Sequence, residues 1–127
     1  MPVILAISLG AIMGALARYG LSSLVTKIMG TGFHFPLGTF LVNIVGCFLM
    51  GVVIMVMDTK FSTHYLTKQF LTVGILGSFT TFSTFSLDFI TLLQKGSVVS
   101  ACIYFALSSI LSICGLYAGM ILVKQLL

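Results

Sequence analysis

Four runs of mostly apolar residues, about 3–25, 37–57, 69–93 and 98–123, constrain this chain more than any other feature it has. Each meets the roughly 20 residues that a helix needs to cross the hydrocarbon core of a bilayer. No water is available there to pair backbone N–H and C=O groups, so a single run must satisfy them internally, as a helix does. The connections are short: 26–36 with Gly30, Gly32 and Pro36, then 58–68 (DTKFSTHYLTK), then the turn 94–97 (QKGS). The expected fold is therefore all-α, a single four-helix transmembrane domain over residues 1–127, with no room for a soluble domain. Mean hydropathy of +1.24 with 6% charged residues agrees, because soluble globular chains carry about a quarter charged. No basic residue precedes the first apolar run, so that run reads as a span and not as a cleaved signal peptide.

The same sparseness of charge excludes several functions. Six Lys/Arg against two Asp/Glu give a formal charge of +4, scattered too thinly for a nucleic-acid surface and better suited to anchoring at the bilayer interface. Cys47, Cys102 and Cys114 are odd in number and without metal spacing. His34 and His64 fall in loops, and no nucleophile with a base, metal cluster or close carboxylate pair points to an enzyme. Orientation normally follows the Lys/Arg bias between the two sides. Here Lys60, Lys68 and Lys124 face one side and Arg18, Lys27 and Lys95 the other, an even split. An unbiased chain is expected to insert both ways, and two opposed copies then form an antiparallel homodimer about a two-fold axis in the membrane plane.

Polar groups at membrane depth are costly, which makes them functional candidates. Thr39 and Asn43 share a face of the second span, ahead of Gly46, and Tyr104, Ser108 and Ser112 form an i, i+4, i+8 stripe on the fourth. Such stripes either glue helices or line a path. Gly10/Gly14 and Gly115/Gly119 are small-xxx-small pairs that predict close helix approach. In the third span, GSFTTFSTFS (77–86) combines weak helix propensity with six hydroxyls and three phenylalanines. A break near the middle of that helix is expected, its freed carbonyls available to a cation; the alternative is that the hydroxyls bond back to their own helix. Arg18 and Asp88 lie near one membrane face, either paired with each other or as a vestibule acid beside a snorkelling arginine. Phenylalanine edges carry partial positive charge, so ring edges with hydroxyl and amide donors would suit a small anion, although phenylalanines also simply pack.

Three stretches carry a resemblance to a known family: GALARYGLS (14–22), FPLGTFLVNIVGCFLMG (35–51) and GILGSFTTFSTFSLD (74–88). In this order they resemble the signature stretches of the small bacterial fluoride channels called Fluc or CrcB. The resemblance implies a passive, fluoride-selective channel exporting cytoplasmic fluoride. It also implies a dual-topology homodimer in the inner membrane with two antiparallel pores. Carried over residue by residue, Asn43 matches a donor to fluoride, and Phe82 and Phe85 match the phenylalanines whose edges face the ion. Gly77 and Thr80 match the break whose backbone carbonyls, from both subunits, hold a structural sodium ion. Thr39, Ser86, Tyr104, Ser108 and Ser112 look like pathway residues. Ser78 stands where the family often has Gly, and Asp88 where it often has Glu, so the vestibule acid reaches less far. Two other readings fit four short spans. One is a dual-topology multidrug exporter, which needs a membrane carboxylate that span one lacks; the other is a non-transporting membrane assembly subunit.

Overall fold

The computed structural model describes residues 1–30, 35–60 and 64–127, the Lys60 side chain excepted, so Gly32 and His34 lie outside the described residues. Among these the regular elements are helical: α1 (Pro2–Met29), α2 (Leu37–Lys60), α3 (Tyr65–Gln69), a π-helical segment (Phe70–Leu76), α4 (Gly77–Phe79), α5 (Phe82–Gln94) and α6 (Val98–Leu126). From α3 to α5 the chain makes one crossing, Tyr65–Gln94, so the helices long and apolar enough to span a membrane number four, as the sequence predicts.

The helices overrun the apolar runs. At 1.5 Å per residue the 28 residues of α1 extend for about 42 Å, beyond a hydrocarbon core of about 30 Å. Once nucleated, a helix propagates cheaply into the interface, where water and polar side chains serve its last turns. Pro2 begins α1 where a missing N–H costs nothing. Gly30, at φ 75°, ends it with its N–H donating to the Thr26 carbonyl at 2.9 Å. The QKGS turn closes α5 in the same manner: Gly96 adopts φ 77°, its N–H donates to Leu93 O, and Ser97 N–H reaches back to Leu92 O, both at 3.0 Å.

Lipid tails are as apolar as leucine, so helices in a membrane gain from close backbone approach more than from burial. A Cβ on Gly10 would lie 2.6 Å from the Phe70 carbonyl oxygen, and one on Gly14 would collide with that of Ile75. Those two glycines seat the π segment on α1. Across the bundle, Gly51 lies under the Leu116 carbonyl and Gly119 under that of Phe48, which locks α2 to α6. Gly115 contributes less, because a Cβ there would meet Ile44 O at an ordinary 3.4 Å.

The third span breaks between α4 and α5, where Thr80 (φ −79°, ψ 154°) and Thr81 (φ −149°, ψ 122°) are extended. Gly77, at φ −64° and ψ −31°, remains helical. The interruption is therefore at the end of the Gly77–Thr80 stretch marked by the sequence, beside Thr81, whose backbone N–H and C=O both have a partner.

Gly14→Leu and Gly119→Leu force a side chain against backbone that cannot swing away. Each is expected to cost at least about 1–3 kcal/mol and to reduce the monodisperse protein recovered by size exclusion. Gly20→Leu, with no atom within 4 Å of the added carbon, should leave recovery unchanged.

Candidate functional site

Breaking a helix inside a membrane exposes N–H and C=O groups that cost several kcal/mol each if left unpaired. Asn43, buried on α2, pairs both groups of Thr81. The Thr81 N–H donates to Asn43 Oδ1 at 2.8 Å, and Asn43 Nδ2 donates to the Thr81 carbonyl at 3.0 Å. Thr81 Oγ1 in turn accepts the Thr84 N–H at 3.2 Å, capping α5, and lies 3.2 Å from Ser83 Oγ and from Thr84 Oγ1. These bonds redirect the N–H groups of residues 81 and 84, so the carbonyls of Gly77 and Thr80 lose their regular i+4 donors.

Beside this clamp is a cavity of about 320 Å³, lined by Asn43, Cys47, Thr80, Thr81, Phe82, Phe85, Ser108, Ser109, Ser112 and Ile113. Nothing lining it is charged. Its polar equipment is the second N–H of the Asn43 amide and a set of hydroxyls. Ser108 Oγ is buried without a hydrogen-bond partner, an arrangement that costs about 1–3 kcal/mol unless something occupies the space. The two phenylalanines differ: Phe85 is 6% exposed and Phe82 78% exposed, with ring centroids 5.5 Å apart. Phe79, the other phenylalanine of the stretch, is buried against the face of Gly46.

The remaining sequence candidates are elsewhere. Thr39 and Asp88 line a second cavity of about 340 Å³ that also includes Ser22, Phe35 and Gly38. Tyr104, fully buried, links the two regions: its ring packs 5.1 Å from Phe85 and 5.3 Å from Phe35, and its hydroxyl donates to Asp88 Oδ2 at 3.1 Å. The Tyr104/Ser108/Ser112 stripe thus divides, one hydroxyl facing the acid and two facing the uncharged cavity. Arg18, half-buried, lines a third cavity of about 230 Å³ with Thr39, Thr81 and Thr84. It does not pair with Asp88, whose oxygen is engaged by Tyr104; the ion pair among the described residues is Lys68–Asp58 at 3.7 Å. Ser86 is outside the uncharged cavity, its hydroxyl donating to its own helix at Phe82 O, 2.9 Å. Thr80 Oγ1 likewise bonds back to Leu76 O at 3.1 Å, so the back-bonding alternative holds for these two hydroxyls. Sequence reasoning missed Cys47, Thr81, Ser109 and Ile113. Cys47 was accessible to it, since position 47 is one turn beyond Asn43 on the same helix face.

A four-span bundle with a broken helix and an uncharged, donor-lined cavity at that break defines the class of membrane transport proteins. The chain belongs to the family described as CrcB-like protein, Camphor Resistance (CrcB), whose model matches residues 5–120. Among its relatives are proteins named Fluoride-specific ion channel FluC from Cereibacter sphaeroides, 44% identical over 95% of this chain and 94% of that one, and from Vibrio cholerae, 41% identical over 89% and 88%. Another, Fluoride-specific ion channel FluC 2 of Nocardia farcinica, is 42% identical over 92% of this chain and 81% of its own.

A small uncharged thiol-directed reagent that fits the cavity should react at half-buried Cys47, slowly because the thiol is packed in largely apolar surroundings, and stop ion flux through the reconstituted protein. Cys47→Ala should be resistant, while a variant retaining Cys47 with alanine at the exposed Cys102 and Cys114 should still be blocked.

Proposed function

We propose that this protein is a passive fluoride channel, letting fluoride leave the cytoplasm down its gradient through the inner membrane. The observation that carries this reading is the uncharged cavity in which Asn43, Ser108, Ser112 and the rings of Phe82 and Phe85 come together around an unpartnered serine hydroxyl. A fluoride ion entering it would exchange water for hydroxyl and amide donors and for ring edges of positive potential. With no charged side chain in the cavity wall, binding stays weak enough for the ion to leave, which conduction requires. The names of the relatives, fluoride-specific ion channels, support the same ion. Thr39, Tyr104 and Asp88 form the approach in this reading, with Arg18 alongside.

The functional unit is an antiparallel homodimer with two pores, each copy inserted in the opposite sense. The even Lys/Arg split supports it. Sodium is the ion suited to the break. The carbonyls of Gly77 and Thr80 are without their i+4 donors, Gly77 is exposed, and an all-oxygen donor set favours a hard cation. Bound there by both copies, sodium would supply positive charge that holds the dimer together.

Liposomes containing only this protein should release fluoride and retain chloride; equal release of both would overturn the selectivity, and release of neither the channel. Phe82→Leu and Phe85→Leu should abolish fluoride efflux with dimer recovery intact, because apolar swaps of similar volume cost a fold less than about 1.5 kcal/mol, whereas Asn43→Leu, which leaves both Thr81 backbone groups unpaired, should lower efflux and dimer recovery together. Phe79→Leu should retain efflux. Labelling of single cysteines at either chain end of intact cells should find each end on both sides of the membrane, and one-sided labelling would remove the antiparallel arrangement.

A further inference from the structure

Asn43 is the only asparagine in the chain, and its carboxamide offers one acceptor oxygen and two N–H donors. Thr81 takes the oxygen and one N–H. The other N–H remains, on a side chain lining the cavity into which the unpartnered Ser108 hydroxyl is also packed. Rotating the amide by half a turn would set its NH₂ against the Thr81 N–H and its oxygen against the Thr81 carbonyl, turning both bonds into repulsions. The atom that Asn43 presents to the cavity is therefore decided at Thr81. A donor there attracts an anion, whereas the amide oxygen would repel it.

The Thr81 backbone holds this arrangement only while it stays extended, and its own hydroxyl fixes that conformation. Oγ1 caps α5 through the Thr84 N–H at 3.2 Å and shares hydrogen bonds with the hydroxyls of Ser83 and Thr84. A residue without that hydroxyl leaves the first turn of α5 uncapped and the φ −149°, ψ 122° conformation without its anchor. We infer that Thr81 is a positioning residue of the anion pathway: its hydroxyl, through the α5 cap, holds the backbone so that Asn43 turns an N–H and not its oxygen into the cavity. The inference rests on the fluoride reading above and adds to it a residue that need not touch the ion.

The single asparagine makes this measurable. Full-length dimer in detergent, with asparagine labelled by the heavy nitrogen isotope, gives one side-chain amide pair in its proton–nitrogen spectrum. Without fluoride, one proton of the pair, held by the Thr81 carbonyl, should exchange with solvent slowly and the other quickly. Added sodium fluoride should shift mainly the second. In Thr81→Val, which keeps the volume and removes the hydroxyl, the two protons should become alike in exchange and the fluoride response should fade. The fluoride concentration giving half-maximal efflux should then rise about ten-fold, as expected for one lost hydrogen bond to a charged group. Thr81→Ser should restore both readouts. A wild-type pair whose protons exchange and respond alike overturns the inference, as does a Val variant indistinguishable from wild type or a Ser variant as impaired as Val. If the Val variant does not fold, Thr81→Ala, which also removes the hydroxyl, takes its place, and an Ala variant that keeps the unequal exchange of the pair overturns the inference. If wild type passes no fluoride, the channel reading falls, while the unequal exchange without fluoride still tests whether Thr81 fixes the amide.

Discussion

Two hydrogen bonds between the Asn43 carboxamide and the Thr81 backbone join α2 to the interruption of the third span. In water such an interruption is inexpensive, because solvent pairs whatever the helix releases. In hydrocarbon each released group must find protein. One asparagine side chain has the complementary donor and acceptor, spaced to meet an extended residue's N–H and C=O together. The break therefore occurs at Thr80–Thr81 and not at Gly77, although glycine is the weaker helix former.

That clamp is reached only because two backbone-to-backbone contacts hold its halves. Gly10 and Gly14 bring α1 against the π segment, and Gly51 and Gly119 bring α2 against α6. Larger residues at any of the four would push the helices apart by the width of a side chain, more than a hydrogen bond of about 3 Å tolerates. The π segment directly precedes α4, a common setting for such segments at working sites. Packing, break and cavity are in this sense one arrangement.

The cavity beside the clamp is neutral, and the nearest charges are kept in adjoining spaces: Asp88 in one, Arg18 in another. Tyr104 joins the acid to the cavity wall, with its hydroxyl on Asp88 and its ring against Phe85. On the fluoride reading proposed above, neutral donors would attract a dehydrated anion without trapping it, and a carboxylate held by a tyrosine would repel it less than a free one.

The sequence by itself determined the spans, because hydrocarbon thickness and the need to pair every backbone group leave an apolar run of about twenty residues one conformation. It also marked Asn43, Phe82, Phe85, Ser108 and Ser112, since polar groups in greasy segments and a resembling motif both stand out along one chain. The tertiary structure alone decided what they do together. Whether a serine bonds back to its own helix, as Ser86 does, or faces a cavity unpartnered, as Ser108 does, depends on the neighbouring helix. Arg18 and Asp88 look like a pair on paper, but Tyr104, sixteen positions from Asp88, takes the acid first. Thr81 was indistinguishable in sequence from the hydroxyls around it. Its partner lies 38 residues away, and hydrogen bonds across that separation are set by how glycines let helices approach, which no local pattern records.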